Sequence, residues 1–377
     1  MANLQNIRRR IKSVKNIQKI TNAMDMIARS RFNAARDALL SNIPYVDKTR
    51  AIIRRVISQM HGREDESPYI MTREEFKERY KLQEEKGNAA GKFLYIVIAS
   101  DKGLAGAYSS NIFKEAHETI EYDGSEESKV APVEEENFHK KNFDAIKELR
   151  AAGAPRRKQL KATGSYAMAH SGQMTSSGGS SGSTTANLSV AKTFNDADYV
   201  DDVDIIAVGR KAASHFRSRG YNVVKEYSGI SERPKYYVAK EIADYVVERF
   251  ESGDIIEVTM IYTKFKSAIS CEPDDVTLLP IITDDYENLN LKDEYIYEPD
   301  VVSVLNNFLP RRLATRIFGA MLHSAASELS SRMNAMSNAT DNAQELIGKL
   351  NLYYNKVRQA GITSEINEIV GGAEALK

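Results

Sequence analysis

Two glycines bracket a short turn, Gly103-Leu104-Ala105-Gly106, that lies between a predicted strand and a predicted helix. Glycines at this point of a βα unit let the backbone approach the pyrophosphate of a dinucleotide closely. The spacing is not G-x-G-x-x-G, and no acidic residue follows a second strand at the distance that ribose recognition needs. The chain also contains no G-x-x-x-x-G-K-[ST] phosphate loop. We therefore predict a structural tight turn, with a nucleotide-binding enzyme as the alternative.

A second motif, Gly178-Gly179-Ser180-Ser181-Gly182, has the form of a nucleophile elbow. A nucleophilic serine of this type needs a strand before it and a helix after it, because the sharp turn between them exposes its hydroxyl. Here both flanks are low in complexity: 13 of the 16 residues from 171 to 186 are Gly, Ser or Thr. That composition is typical of a flexible linker and produces the pattern by chance. The motif therefore indicates no serine nucleophile.

The other residue types that bind metals or transfer protons show no catalytic arrangement. One cysteine cannot form an internal disulfide, and no histidine stands at a metal-ligand spacing from it or from another histidine. Three pairs of aspartates border predicted strands, which is typical of turns and surfaces. The residues concerned are Cys271, His61, His117, His139, His170, His215, His323 and the aspartates at 201–202, 274–275 and 284–285. We predict a non-catalytic protein without a cofactor or metal.

The first 60 residues have the pattern of one long helix, over residues 3–59. Apolar residues step by three and four along a coiled-coil seam, and the pattern repeats after a three-residue phase slip that predicts local overwinding. The first set is Leu4, Ile7, Ile11 and Val14, and the second is Ile17, Ile20, Met24 and Ile27. Pro44 either kinks this helix or begins a new one.

The C-terminal part of the chain mirrors this pattern. Small or apolar residues recur every seven positions at Leu329, Met336, Ala343, Leu350 and Val357. A second seam position is filled in most heptads, with Arg332 as the exception. No proline follows Pro310, and a helix from there to the end of the sequence would be on the order of 100 Å long. Such a helix must protrude from any domain of this chain, and an antiparallel pair with the first helix is the simplest arrangement.

Between the two helices lies an alternating β/α pattern. The run "KFLYIVIAS" is continuously apolar, as expected of a strand that is covered on both faces, and about five strands alternate with amphipathic helices. The predicted fold is α/β, a long antiparallel coiled coil of N- and C-terminal helices plus a Rossmann-like α/β domain. The predicted parts are the N-terminal helix 1–60, a charged insertion 61–91, the α/β domain 92–298 with a largely flexible insertion 121–200, and the C-terminal helix 299–377.

The charge is unevenly distributed, although the net charge is zero. Residues 1–60 contain 13 Lys and Arg against 3 Asp and Glu, a net charge of +10. A basic coiled coil could bind nucleic acid, which makes a basic coiled-coil nucleic-acid-binding protein the alternative function. The basic residues surround an apolar seam with few aromatic residues, which fits an acidic protein partner at least as well. No window of 18 consecutive apolar residues predicts a membrane-spanning helix.

Six segments resemble the γ subunit of F-type ATP synthases. The opening "RIKSVKNIQKITNAMDMIARSRFNAA" and the closing "ITSEINEIVGGAEA" are similar to the terminal helices of that family. In the middle, "ASDKGLAGAY", "AVGRKAASHFRSRGY", "YTKFKSAISCEPDDVTLLPI" and "YEPDVVSVLNNFLPRRL" resemble its central blocks in the same order. The chain departs from the family at Ala105, where a cysteine is usual, and in its two insertions. With one cysteine, a thiol switch of the chloroplast type is not supported.

The resemblance implies a non-catalytic rotor shaft in the central stalk of a membrane enzyme. In that family the coiled coil fills the centre of a ring of α and β subunits, and the α/β domain stands with the ε subunit on the c-ring. Rotation of the shaft couples ion translocation through the c-ring to ATP synthesis or hydrolysis at the β-subunit sites. The implied partners are therefore α, β, ε and the c-ring, with no nucleic acid. The implied location is peripheral, at the cytoplasmic face of the bacterial cell membrane.

The resemblance also assigns contact residues, position by position. Arg358, Gln359 and Thr363 match polar positions that contact β catch loops, and Met24 matches a position that faces the β lever segment. The basic partners expected for that acidic lever are Arg8, Arg9, Lys12 and Lys19. We further expect the tip of the closing helix to act as a bearing in a narrow apolar sleeve. The expected bearing residues are Ile366, Ile369, Gly371 and Gly372.

Overall fold

The computed structural model describes residues 2–60, 63, 66–86, 91–120, 203–282 and 296–375. The predictions made for 121–200, including the elbow motif at 178–182, lie outside these residues. So do His61, His139 and His170 and the aspartates at 201–202 and 284–285.

A five-stranded sheet forms the centre of the α/β domain. Its strands are β2 (Lys92–Ile98), β3 (Val203–Val208), β4 (Asn222–Tyr227), β5 (Ile255–Phe265) and β6 (Cys271–Leu279), in the order β4-β3-β2-β5-β6. The first four are parallel and β6 is antiparallel to β5. The continuous apolar runs of β2 and β3 form the middle of the sheet, where both faces are covered. The prediction of a Rossmann-like α/β domain is confirmed.

Helices cover the two faces of this sheet. On one face, α3 (Tyr108–Ile120) and α4 (Arg210–Arg217) pack on the side chains of Phe93, Tyr95 and Val97. On the other, α5 (Tyr236–Glu251) and the first turns of the closing helix pack on Leu94, Ile96 and Ile98. The alternation along β2 therefore divides the core into two layers. We call the described residues 91–120 and 203–282 the sheet domain.

The charged segment at 61–91 contributes apolar residues to this core. A short strand, β1 (Ile70–Met71), pairs in parallel with β7 (Ile281–Ile282), and α2 (Arg73–Lys86) follows it. The backbone N–H of Ile281 donates a hydrogen bond to the carbonyl of Tyr69 at 3.0 Å. The side chains of Tyr69, Ile70, Met71 and Phe76 are buried. These few apolar residues suffice to tie the segment to the sheet domain.

Two long antiparallel helices complete the fold, as predicted. Helix α1 (Ala2–Ser58) and helix α6 (Val301–Ala375) each contain an internal proline, Pro44 and Pro310. The sequence left Pro44 open as a kink or a new start, and in the structure one helix runs through it. With 75 residues, α6 is about 110 Å long. We call the paired helices outside the sheet domain, from about residue 35 toward the start of α1 and from about residue 326 onward in α6, the shaft.

The seam of the shaft follows one uninterrupted heptad pattern on α1. Its buried or half-buried positions step alternately by four and three residues, from Ile7 through Val14, Gln18, Thr21, Asp25 and Ala28 to Leu39. The predicted phase slip is therefore wrong. Ile17, Ile20 and Ile27, which we placed in the seam, are 51%, 59% and 53% exposed. The polar residues Gln18 and Thr21 occupy the seam instead, because each pairs with a polar residue of α6.

The partner helix shows the predicted seam over most of its length. Leu329, Met336, Ala343 and Leu350 are buried. Across the seam, the hydroxyl of Tyr354 on α6 accepts a hydrogen bond from Arg8, near the start of α1. Because the helices are antiparallel, roughly the last four turns of α6 extend beyond the first described residue of α1. Among the helices that the structure describes, none is both long and apolar enough to cross a membrane.

Candidate functional site

The glycine turn at 103–106 forms part of the junction between the sheet domain and the shaft. Leu104 and Gly106 adopt left-handed backbone conformations, with φ of 66° and 57°. The carbonyl oxygen of Gly103 accepts hydrogen bonds from the guanidinium of Arg332 on α6, at 3.4 and 3.3 Å. The turn therefore presents its backbone to a side chain of the shaft helix, which agrees with the prediction of a structural turn.

Asp101, at the start of this turn, organises the loops at the carboxyl ends of the strands. Its carboxylate accepts hydrogen bonds from the backbone N–H groups of Arg210 and Ser231, each at 3.0 Å. Burial by itself would raise the pKa of Asp101, but hydrogen bonds from the backbone of Gly229, Ser231 and Arg210 outweigh burial and lower it. Asp101 thus holds the loops after β2, β3 and β4 together.

Two histidines that are 98 residues apart in sequence meet at the surface of the sheet domain. The Nε2 atoms of His117 on α3 and His215 on α4 are 2.9 Å apart, and the ring centroids are 5.2 Å apart. Arg219 Nη1 donates to His215 Nδ1 at 3.0 Å, so His215 carries its proton on Nε2 and donates it to His117. Burial, followed by the charges of Arg219 and His117, lowers the pKa of His215 to about 4.

This histidine pair is a hydrogen bond rather than a chelating pair. A ring nitrogen lies about 1.1 Å from the centre of its imidazole, so the centroid distance means that the two nitrogens point at each other head-on. Two ligands of one metal ion would instead direct their lone pairs to a common point. Across the described residues, no three histidine, cysteine or acidic side chains gather as a metal site would require. Sequence spacing could not reveal the pair, because the fold alone brings α3 and α4 together.

The basic contact residues expected on α1 lie on its outward faces. Arg8, Arg9, Lys12 and Lys19 are exposed, and Met24 is half-buried. Arg8 is engaged within the chain: its Nε donates to the hydroxyl of Tyr354 at 2.8 Å, and its guanidinium carbon lies 5.2 Å from the centre of the Tyr354 ring. The sequence analysis missed this pairing, which fixes the register of the two helices near the tip.

The polar contact residues expected on α6 lie about one to two and a half turns beyond Tyr354. Arg358, Gln359 and Thr363 are exposed, and the hydroxyl of Thr363 donates to the carbonyl of Gln359 at 2.9 Å. Arg8 and Arg358 therefore lie at neighbouring levels of the shaft. Lys19 and Met24 lie roughly 15–25 Å further down, since each residue of a helix rises about 1.5 Å. The expected contact residues thus form two levels on the shaft rather than one site.

The unpaired end of α6 has an exposed apolar surface. Ile362, Ile366, Ile369 and Val370 are all exposed, Ile369 to 72%. A side chain at Gly371 would meet no atom of the chain within 4 Å, so the fold of the chain itself does not require a small residue there. Gly372 also belongs to α6. The structure thus leaves Ile366, Ile369 and Gly371 exposed to solvent.

An apolar stripe on the outside of α1 is the main surface that the sequence analysis misplaced. Ile17, Ile20 and Ile27 share this stripe, and Met26 beside it is 62% exposed. Their spacing of three and seven residues would suit a coiled-coil seam as well as the spacing of the observed seam residues does. The hydrogen bonds of Gln18 and Thr21 to α6 hold the other face of α1 in the seam, so that these residues face outward. The stripe lies among the basic residues of α1 and gives that face an apolar centre.

Comparisons with known proteins point to one family. A family model described as ATP synthase matches residues 3–168 and 137–376. The chain is 32% identical over 380 residues to an ATP synthase gamma chain of Halothermothrix orenii, with 100% of both chains covered. It is 31% identical over 377 residues to the gamma chain of Pelotomaculum thermopropionicum, again with 100% of both covered. These matches give no support to the nucleic-acid-binding alternative.

The fold is also found in a solved structure. A chain of the Euglena gracilis mitochondrial ATP synthase, solved with OSCP, F1 and the c-ring in rotational state 3, superposes with a TM-score of 0.51. The two chains are 16% identical, and the match covers 100% of this chain and 95% of the other. At this identity the likeness concerns the fold: two long terminal helices and a central α/β sheet.

Proposed function

This chain belongs to the ATP synthase γ chain family, the non-catalytic central-stalk subunits of F-type ATP synthases, and we propose how its shaft, its tip and its sheet domain divide the work. The sheet domain receives torque from an ion-driven c-ring on which it stands with an ε subunit. The shaft carries the torque into a ring of α and β subunits. The coupling between the membrane sector and the β sites is then mechanical, a linkage of binding free energies between distant sites.

One observation carries this proposal: a single helix of 75 residues is anchored in the sheet domain at one end and stands free at the other. Its first turns are buried against the sheet, with Leu305, Leu309, Leu313 and Ile317 fully enclosed. Its middle is paired with α1, and its last turns project beyond α1. A globular binding domain gains nothing from such a projection. A shaft requires it, because the two ends must act on different partners.

The outward face of α1 is the surface that we assign to the β subunits. Arg9, Lys12 and Lys19 give it positive charge, and the stripe of Ile17, Ile20 and Ile27 gives it an apolar centre. A partner loop with acidic residues around apolar ones would complement both features. Met24 borders this surface. Arg358, Gln359 and Thr363 would contact a second set of β loops closer to the tip.

We assign the tip to an apolar sleeve at the top of the α/β ring. Ile366, Ile369 and Val370 would lose their exposed surface inside such a sleeve, which favours insertion. Gly371 and Gly372 would keep the end of the helix narrow where it turns against the ring. Two glycines cost a helix about 1 kcal/mol each relative to alanine, and clearance inside a bearing accounts for that cost.

The proposed location is peripheral, at the cytoplasmic face of a bacterial cell membrane. This assignment is supported by the bacterial relatives that match over their whole length. The helices that the structure describes contain no candidate membrane span, so attachment would depend on the c-ring and ε rather than on a segment of these helices.

Co-expression with the α and β subunits of a related bacterial enzyme tests this function. We expect a stoichiometric complex that hydrolyses ATP, and, with the membrane sector, ATP-driven ion pumping. Joint charge reversal of Arg8, Arg9 and Lys12 should weaken pumping, whereas single reversals should change it little, because exposed ion pairs contribute about 0–1 kcal/mol each. Salt-dependent binding of nucleic acid by a chain that does not assemble with α and β would overturn the proposal.

A further inference from the structure

One carboxylate of the sheet domain is held by cations from both helices of the shaft. Glu232 lies in the loop between β4 and α5. Its side chain pairs with Arg31 of α1 and accepts a hydrogen bond from Arg332 Nη1 of α6 at 3.2 Å. Lys102 Nζ, from the turn after β2, lies 3.3 Å from the same carboxylate. Three elements that are separate in the sequence thus converge on one acidic group.

The loop that carries Glu232 is fixed to the sheet. Ser231, the preceding residue, donates its backbone N–H to the carboxylate of Asp101 at 3.0 Å. In return its hydroxyl accepts a hydrogen bond from the backbone N–H of Asp101 at 3.1 Å. Asp101 directly follows Ser100 at the carboxyl end of β2. A force on Glu232 is therefore passed to the centre of the five-stranded sheet rather than to a free loop.

Arg332 is equally constrained on the shaft side. Its side chain is 7% exposed, and besides Glu232 it binds Glu328 of the same helix, whose side chain is 1% exposed. Its Nη2 lies 2.5 Å from Glu328 Oε1 and 3.3 Å from the carbonyl oxygen of Gly103. A planar guanidinium bound to two carboxylates and a carbonyl has little rotational freedom. Arg332 therefore fixes the orientation of α6 at this level.

The contact lies where the shaft leaves the sheet domain. Below it, Phe32, Ala35 and Leu39 of α1 pack on Leu322, Ala326 and Leu329 of α6 in an apolar cluster. Just above it, Asn334 Nδ2 of α6 still donates a hydrogen bond to the carbonyl oxygen of Ala268, between β5 and β6, at 2.8 Å. Apolar contacts resist separation, yet they are non-directional and resist sliding and twisting less than oriented ion pairs do. The ion pairs of Glu232, which join both helices to the sheet domain near this exit, therefore limit the twisting of the shaft relative to the domain.

We propose that Glu232 is a torque clamp: through Arg31 and Arg332 it locks both helices of the shaft to the sheet domain, so that rotation of the domain is transmitted with little twist at the junction. This inference rests on the proposed rotor function. It assigns Glu232, Arg31 and Arg332 a positioning role that the contact residues of the shaft do not have. Lys102 belongs to the sheet domain, as Glu232 does, and so supports the carboxylate without joining it to the shaft.

The test is the torsional stiffness of the junction in an assembled complex. The α/β ring is fixed to a surface, a bead is attached to the sheet domain, and the angular spread of the bead is recorded in a stalled complex. Glu232→Gln keeps the shape but removes the charge, and Arg31→Gln releases α1 alone. Glu345→Gln is the matched control, because it breaks an exposed pair with Lys349 within α6.

We expect Glu232→Gln to lower the stiffness about twofold or more, since it removes the charge that holds Arg31 and Arg332 to the sheet domain. Arg31→Gln should lower it less, and Glu345→Gln should leave it unchanged. Assembly and ATP hydrolysis without load should stay at wild-type levels, whereas ion pumping against a gradient should fall with the stiffness. If Glu232→Gln does not assemble, Arg31→Gln carries the test, because the Arg31 side chain is 41% exposed.

Two results would overturn the clamp. One is wild-type stiffness in Glu232→Gln, or in Arg31→Gln where Glu232→Gln cannot be assembled. The other is an equal loss of stiffness in Glu345→Gln, which would show that any change of charge softens the shaft. Failure of the rotor function is a different outcome: the wild-type chain would then not assemble with α and β, or its bead would not turn during ATP hydrolysis.

Discussion

Thr340 of α6 donates a hydrogen bond to the hydroxyl of Thr21 of α1, with the two oxygens 2.8 Å apart in the seam of the shaft. One turn away, Gln18 Nε2 donates to Gln344 Oε1 at 2.7 Å. Together with Asp25, these two layers interrupt an otherwise apolar seam on α1. They specify which face of α1 meets α6, because Ile17 and Ile20 on the neighbouring face would serve an apolar seam equally well. Their role is thus to fix which face of α1 lies in the seam.

The Thr21–Thr340 pair is expected to contribute specificity rather than stability. Thr21→Val alone should cost less than about 1.5 kcal/mol, because the Thr340 hydroxyl can then donate its proton to the carbonyl oxygen of Met336, 2.9 Å away. The double variant Thr21→Val/Thr340→Val should unfold at the wild-type temperature or above, since both partners become apolar. Thr363→Val, at an exposed position, is the control for the substitution itself. A double variant less stable than the single one would contradict this interpretation.

Gly209, which follows β3, should not tolerate a side chain. Its φ is 105°, and a Cβ there would lie 2.3 Å from the carbonyl oxygen of Ala99. Gly209 and the carbonyl of Ala99 both belong to the backbone and cannot move aside. Gly209→Ala should therefore destabilise the chain by roughly several kcal/mol. Gly348 in α6 provides the matched control, because a Cβ there would meet nothing within 4 Å.

Gly348→Ala should raise the stability by about 0.5–1 kcal/mol through helix propensity. Thermal unfolding of the two purified variants beside the wild type measures both effects. Equal unfolding temperatures for the two glycine variants would show that the approach to Ala99 is not as close as described.

His323 should make the chain less stable in mild acid. Burial, followed by the charge of Lys264, lowers its pKa to about 4, and its Nδ1 accepts a hydrogen bond from the backbone N–H of Phe265 at 3.3 Å. The unfolded chain, with a histidine pKa of about 6.5, therefore binds a proton first. Stability is complete above pH 6.5 and falls as the pH drops toward 4, by at most about 1.4 kcal/mol per pH unit.

His323→Gln should reduce this slope, while the share of His215, whose pKa is also lowered to about 4, remains. The measurement is the unfolding free energy of the wild type and the variant between pH 7 and pH 4. A slope that His323→Gln leaves unchanged would show that this imidazole titrates as it does in water.

Substitutions of the glycines at the tip should have opposite effects on the stability of the chain and on its function. Gly371→Leu/Gly372→Leu should stabilise α6, because each glycine costs a helix about 1 kcal/mol relative to a good helix former and a side chain at Gly371 meets no other atom of the chain. In the assembled complex the same variant should slow rotation or block assembly, since added bulk would fill the proposed sleeve. Wild-type turnover in that variant would count against the bearing.

The architecture could be predicted because it follows from the spacing of apolar residues along the sequence. Heptads at both ends of the sequence and apolar runs between them suffice for two long helices and a parallel sheet. The seam on α1 could not be chosen correctly, because two apolar stripes have the same spacing. The choice depends on Gln18 and Thr21, which look like surface residues until Gln344 and Thr340 are opposite them.

The ion pairs at the junction between sheet domain and shaft could not be predicted from the sequence for a related reason. Glu232 lies 201 residues from Arg31 and 100 from Arg332, and no local pattern joins them. One signal was present: Arg332 is a charged residue at a position of the heptad where the other repeats have small or apolar side chains. A charge in a seam calls for a buried partner, but only the fold identifies that partner as Glu328 together with Glu232.

Whether this chain is a rotating shaft can be measured by observing its rotation in an assembled complex. In a Cys271→Ser background, Lys211→Cys on the exposed side of α4 gives the sheet domain a single attachment point for a bead. The chain is assembled with α and β subunits, the ring is fixed to a surface, and ATP is added. We expect stepwise rotation in one direction for as long as ATP is hydrolysed. A complex that hydrolyses ATP at the normal rate while the bead shows no net rotation would contradict it.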